Sequence, residues 1–420
     1  MIPTEPQPDA AAILERDDRV FLPVYARYDA VFTGGDGVFL TDVAGKRYLD
    51  TVSGLGVNAL GYAHPRMVAT MREQAGSLIH LSNLYSSRYP GDLAERLCAL
   101  TGMAAVFYCT GGTEAMESAL KIARSAAFQG YGERKHIFVS VENSYHGRTF
   151  GALSVTGQQK YRDGFEPGMP PARFVPRNDV RALKAAMDED VCGILVEPVM
   201  GEGGVHETSA EFLREARRLA DQYHAALILD EIQCGLGRTG VWSVGKEMGV
   251  AADILVVGKP LGGGLPLSAI LVREQLRDVF SPGKHGSTLG GGVLATRLGL
   301  EFLSIVEDEG LLDRARSTGA YLNRCLRQVA EEHACVTEVR GRGFLQGLVL
   351  DVPARPIAEA ALPKGVLLNV IQGSILRFLP PYLFEPVHVD QVVEVLDEVL
   401  RDGRPVQSAS AAMEDATLLA

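Results

Sequence analysis

Seven short apolar runs, each separated from the next by a segment long enough to form a helix, constrain this chain more than any other feature. They are "AVFYCT" (105–110), "HIFVSVE" (136–142), "RFVPRN" (173–178), "CGILVEPV" (192–199), "AALILDEI" (225–232), "DILVVGK" (253–259) and "SAILV" (268–272). Several are apolar at nearly every position instead of alternating. Such strands must be covered on both faces, and the covering elements are the helices between them, expected over 113–128 and 211–223 among others. The expected fold class is therefore α/β, a large domain built on a mostly parallel sheet.

Around that core, residues 1–62 read as an extended arm with short strands, because "DGVFLTDVAGKRYLD" sets turn glycines among alternating residues. The large domain is expected over 63–293. From 294 the pattern changes to long helices and then strands, a smaller α+β domain over 294–402. The tail 403–420 is small and polar and is expected to fray. The stretch "GVWSVGKE" (240–247) has the glycine spacing and lysine of a phosphate-binding P-loop. Its last position is Glu247, which offers magnesium no hydroxyl, and no strand precedes it, so it is read as a loop.

In a parallel sheet, ligands gather beyond the carboxyl ends of the strands. The residues standing there are Gly111, Gly112 and Thr113, then Tyr145 and His146, then Glu197, then Asp230 with Glu231 and Gln233, and finally Lys259. Each has a plain structural use: a helix cap, a solvated strand end, a core ring, a satisfied histidine. Together they describe one ligand. Helix-start amides suit a phosphate, a buried carboxylate suits a protonated heterocyclic nitrogen, and an aromatic ring suits a flat ring stacked upon it. A lysine at a buried strand end suits a Schiff base to an aldehyde. Phosphate, pyridinium and aldehyde are the parts of pyridoxal 5′-phosphate. The glycines at 262–264 are expected to turn the chain tightly and clear side chains from beside the lysine.

The motifs "GGTEAMESALKIAR", "NSYHGRT", "EPVMGEGG", "LDEIQCGLGRTG", "GKPLGGGLPLSA", "HGSTLGGG" and "LRFLPP", in this order, resemble the class III (subgroup II) pyridoxal-phosphate aminotransferases of fold type I. The likeness covers about 24–400 and is strongest to the acetylornithine and ornithine aminotransferases. The resemblance implies that Lys259 carries the cofactor and shuttles the proton, and that Asp230 pairs with the pyridine nitrogen. It also implies that Gln233 lies near the ring hydroxyl, that Gly112 and Thr113 cradle the phosphate, and that Tyr145 stacks on the ring beside His146. Thr288 would reach the phosphate from a neighbouring subunit, which implies a homodimer with composite sites. Arg377 would bind the substrate α-carboxylate, Glu202 would pair with it when no carboxylate is there, and Arg148 would take the far carboxylate. The sequence departs from the acetylornithine pattern at Thr110-Gly111, Met200, Pro260 and Gly290–Val293, around the phosphate cup and pocket wall.

The implied reaction is ping-pong transamination from an ω-amino donor, N-acetylornithine-like, to 2-oxoglutarate. Ornithine, 4-aminobutyrate or a diamine as donor, or a decarboxylase or mutase chemistry on the same fold, are the alternatives. A catalytically dead scaffold is disfavoured by the intact Lys259, Asp230 and Arg377. A Rossmann protein is disfavoured because no G-x-G-x-x-G opens a helix after the first strand. The net charge of −11 argues against nucleic acid. Six cysteines without a C-x-x-C pair argue against a metal site and for a reducing compartment. With no basic start, apolar leader or membrane-length apolar run, the expectation is a cytoplasmic protein that does not engage a membrane.

Overall fold

The computed structural model describes residues 9–166 and 168–402. The described residues divide into two compact units, one of 56–58 and 65–315, the other of 9–55, 59–64 and 316–402. The tail expected to fray over 403–420 lies outside the described residues.

All seven apolar runs form strands of one sheet in the larger unit: Ala105–Cys109, Ile137–Val141, Ala172–Val175, Val191–Val196, Ala226–Asp230, Ile254–Val257 and Ser268–Val272. Across the sheet the order by first residue is 105, 268, 254, 226, 191, 137, 172. Five of these strands pair in parallel, and Ser268–Val272 runs against both of its neighbours. Every residue of Val191–Val196 and of Ile254–Val257 is buried, as strands covered on both faces require. The helix Gly112–Tyr131 supplies one cover, placing Ala115, Met116, Ala119 and Ala123 in a cluster with Ile228, Val256 and Ile270. The helix Ala210–Gln222 buries Phe212, Leu213, Ala216, Leu219 and Ala220, one stripe at helical spacing. Burying a side chain such as Phe212 contributes about 2–3 kcal/mol. Ser209 starts that helix by accepting from the Phe212 amide at 3.1 Å.

Because the parallel strands share a direction, Thr110, Tyr145, Glu197, Asp230 and Lys259 all follow strand ends on the same edge of the sheet. Ser268, which begins the antiparallel strand and pairs with Cys109, joins them there.

Three expectations change in the larger unit. The helix Val293–Asp308, expected to open the second domain, is grouped with the large unit, and the division falls at residue 315. Its apolar face packs on the helices Pro65–Ala75 and Arg88–Thr101, and that packing decides its membership. The P-loop look-alike ends in a helical turn, Val244–Glu247, capped by the Ser243 hydroxyl, where a loop was expected. The glycines after Lys259 turn the chain tightly, as expected, but the side chains they clear belong elsewhere. Gly263 and Gly264 take φ of +59° and +103°, but a Cβ on Gly263 would strike the Met67 side chain, and one on Gly262 would lie 3.0 Å from the Leu267 Cβ. They make room for the core behind the lysine.

The smaller unit contains two four-stranded sheets. One is the antiparallel run Phe32–Asp36, Phe39–Asp42, Arg47–Asp50, with Val366–Leu367 added in parallel. The other orders Val336–Arg342, Leu345–Leu350, Ile375–Phe378 and Asn369–Ile371, all antiparallel. The N-terminal segment was expected to be extended, yet Ala10–Val20 is a helix, with the Asp9 side chain capping the Ala11 amide at 3.0 Å. The alanine run and that cap favour the helix over an arm.

Candidate active site

Lys259 sits two residues beyond Val257, at the start of a 3₁₀ turn, with φ of +45°. A non-glycine residue in the left-handed region is strained, and the surrounding structure must hold it there. Its Nζ donates to the Gln233 Oε1. Asp230 closes the neighbouring strand and is 4% exposed. One of its oxygens accepts from the Ile232 amide at 3.1 Å; the other accepts from His146 Nδ1–H at 2.8 Å. Burial works against protonating His146, but the hydrogen bond and charge of Asp230, with the charge of Glu197, outweigh it and raise its pKa. Glu197 is pushed up to about 7, chiefly by burial; its two oxygens accept from the Tyr145 amide at 3.0 Å and the Gly201 amide at 3.2 Å.

The start of the helix Gly112–Tyr131 lies close by. A Cβ on Gly112 would be 2.9 Å from Ile232 Cδ1, and one on Gly258 would be 3.5 Å from Ile232 Cγ2. Ile232 thus forms a common floor between the helix start and the strand end that bears Lys259. Thr113 Oγ1 accepts from the amides of Arg148 and Thr149 at 3.2 and 3.3 Å, which docks the turn after Tyr145 and His146 onto the helix start. The Glu114 carboxylate receives the Thr110 amide at 2.7 Å, the Thr110 hydroxyl and the Ser287 hydroxyl. Although partial burial pulls the other way, the bonds from Ser287 and Thr110 hold Glu114 below its ordinary value. Ser287 and the exposed Thr288 belong to the loop 281–292, pinned also by Asn83 Nδ2 to the Ser287 carbonyl at 2.9 Å.

Of the residues singled out in the sequence, the larger unit brings Lys259, Asp230, Gln233, His146, Tyr145, Gly112, Thr113 and Arg148 to one sheet edge. Glu202 is buried in the turn that follows Val199. Arg377 lies in the smaller unit, fully buried in the strand Ile375–Phe378, and donates from Nε to Asn369 Oδ1 at 2.8 Å. Sequence reasoning missed Glu114, Ser287 and Ser268. Glu114 could have been noticed as a carboxylate in the first turn of a helix opened by glycines; Ser268 gave no signal.

These residues fit pyridoxal phosphate. Two buried polar atoms at the edge, Gln233 Nε2 and Ser268 Oγ, have no hydrogen-bond partner among the described residues, which a polar ligand would supply. A Cβ on Gly111 would meet open space, and the amides at the start of a 20-residue helix suit a phosphate.

An open α/β sheet with a lysine, a buried carboxylate and a helix start at its carboxyl edge defines a fold type I pyridoxal-phosphate enzyme, and comparisons with known proteins refine this. The aminotransferase class-III family profile matches residues 24–400, so the chain belongs to the class-III aminotransferases and is a pyridoxal-phosphate-dependent enzyme. It is 39% identical over 389 residues to an acetylornithine aminotransferase of Caldanaerobacter subterraneus subsp. tengcongensis, covering 92% of this chain and 99% of that one. Against an acetylornithine aminotransferase of Aquifex aeolicus it is 41% identical, over 90% and 98% of the two chains. The fold superposes on the ornithine aminotransferase of Toxoplasma gondii with a TM-score of 0.90 at 31% identity, covering 94% of this chain and 96% of that one.

Proposed function

We propose that the enzyme moves the distal amino group of an N-acetylornithine-like donor onto 2-oxoglutarate, in two half-reactions at the edge of the large sheet. The observation that carries this reading is the juxtaposition of Lys259 and Gln233 with the buried Asp230–His146 pair. When bound, pyridoxal phosphate supplies an aldehyde and a pyridinium ring that withdraws electrons from the reacting carbon. Lys259 supplies the amine that anchors the aldehyde. Displaced by substrate, that amine would carry the proton from the amine-bearing carbon of the substrate to the cofactor. Asp230 holds the proton on the pyridine nitrogen, and the His146 Nδ1–H fixes the orientation of the Asp230 carboxylate. Gln233 would hold the ring hydroxyl, Tyr145 would pack against the ring, and Gly112 and Thr113 would hold the phosphate.

Glutamate carries two carboxylates, so its half-reaction calls for two cations, the part that the family resemblance gives to Arg148 and Arg377. Glu202 keeps the family's part of a carboxylate that serves when an ω-amine occupies the site. The donor is assigned from the similarity to acetylornithine aminotransferases across nine-tenths of the chain. The enzyme acts as a cytoplasmic homodimer in which Thr288 completes the partner's phosphate site. The exposed Thr288, Leu289, Leu84 and Tyr85, on loops joined by Asn83, support such an interface. Among the described residues, no helix is long and apolar enough to cross a membrane.

The test is borohydride reduction with peptide mapping, then single-turnover assays of candidate amines with 2-oxoglutarate. The expected result is an adduct on Lys259 and fastest turnover with N-acetylornithine. An adduct on another residue overturns the site, and preference for an α-amine overturns the donor class.

A further inference from the structure

Arg148 is exposed on the turn after His146, yet its guanidinium is not loose. Its Cζ lies 3.7 Å from the centre of the Tyr161 ring and 5.5 Å from that of Tyr145. The two rings meet edge to face, with centres 6.0 Å apart at 84°. Among the described residues, no carboxylate pairs with Arg148 and nothing hydrogen-bonds to its guanidinium. Tyr161 belongs to the short helix Gln159–Arg162 and is 8% exposed. The neighbouring Arg162 anchors that helix by donating to the Thr156 carbonyl at 2.5 Å and lying 4.0 Å from the Phe174 ring. The platform beneath the flexible arginine is therefore rigid.

A guanidinium centred over an aromatic face is held by the ring's negative quadrupole, which restricts the positions its N–H fork samples. That is the state in which an arginine loses least freedom on accepting a bidentate carboxylate. We propose that Tyr161 is a positioning residue for specificity: it presents Arg148 as a preformed clamp for the distal carboxylate of a dicarboxylic substrate. This rests on the reading above that Arg148 takes that carboxylate. Tyr161 acts through Arg148, so its influence falls on choice of substrate more than on chemistry.

The test is calorimetric binding of glutarate, a dicarboxylate, and pentanoate, its monocarboxylate counterpart, to the holoenzyme. Tyr161→Leu is expected to weaken glutarate about tenfold and pentanoate less than twofold. Tyr161→Phe should hold glutarate within twofold of wild type. Pentafluorophenylalanine at position 161 keeps the shape but reverses the quadrupole, so it should weaken glutarate severalfold even if the leucine variant folds poorly. In an Arg148→Gln background, the Tyr161 changes should have no further effect on glutarate. If Arg148→Gln leaves glutarate binding unchanged, the reading of Arg148 fails and this inference with it. If Arg148→Gln weakens glutarate but neither the leucine nor the fluorinated variant does, Arg148 keeps its role and the inference alone is overturned. Equal weakening by Tyr161→Leu with and without Arg148 also overturns it, since Tyr161 would then act through packing.

Discussion

Gly147→Ala should uncouple the proposed phosphate cup at Gly112 and Thr113 from the turn that carries Tyr145 and His146. Gly147 has φ of +127°, a conformation that alanine adopts only with strain of about 1–3 kcal/mol. Its new Cβ would also lie 2.7 Å from the Thr113 Cβ and 3.0 Å from the Thr113 Cα, and closer still to Oγ1. Two non-bonded carbons do not approach to 2.7 Å, and the Thr113 Cβ is fixed to the helix backbone, so the turn must move away from the helix start. Moving it breaks the Arg148 and Thr149 amide bonds to Thr113 Oγ1. Each such bond contributes about 1 kcal/mol net. Some of that total is relieved by the movement or falls on the fold, which leaves about 2–3 kcal/mol to appear as weaker cofactor binding, or roughly 30–150-fold in Kd. Titration of apo-protein with pyridoxal phosphate, followed by absorbance, measures this. The two amide bonds are already made without the cofactor, so melting of the apo-protein should also fall and reports the part of the cost that lands on the fold. Cofactor affinity within twofold of wild type would refute the argument that close packing of Gly147 on Thr113 holds the cup together.

Asp230→Asn should keep the fold and lose on the order of 10²–10³ in the rate of proton abstraction, read by single-turnover kinetics, because a neutral amide does not hold the ring nitrogen protonated; a near-normal rate removes Asp230 from this role. Glu231→Gln should cost about 1–3 kcal/mol in denaturant unfolding, because the Glu231 carboxylate accepts from the Ser243 hydroxyl and the Val244 and Gly245 amides, each at 2.8 Å, and an amide replaces one acceptor with a donor. Burial, followed by the charge of Lys121, lowers the His285 pKa, so the folded protein favours neutral His285; its contribution to stability is present above the ordinary value of 6.5 and is lost as pH falls below it. The melting temperature of wild type should therefore drop more steeply than that of His285→Asn between pH 7 and 5.5, and parallel slopes would contradict it.

Much of this enzyme was legible in the chain itself. Strands buried on both faces must be apolar throughout, so the seven runs were marked wherever they occurred. Residues at the ends of parallel strands must share an edge, so Lys259, Asp230 and Thr113 could be grouped before their distances were known. Local signals failed where a tertiary contact outweighed them. The three glycines after Lys259 were readable as a tight turn, but only packing showed that the displaced side chains are Met67 and Leu267. The helix Val293–Asp308 had the pattern of a new domain, yet its partners, Pro65–Ala75 and Arg88–Thr101, lie some 200 residues earlier in the chain.

Which residues are candidates for the chemistry was thus set by type and order along the chain, because strand periodicity and strand-end position are local properties. Which groups prepare them was decided by the tertiary structure. Asp230 gains His146 from 84 residues away, Glu114 gains Ser287 from 173 residues away, and Arg148 gains the face of Tyr161. Hydrogen bonds and ring contacts act over a few ångströms, and no local periodicity records which distant residue the fold will bring that near.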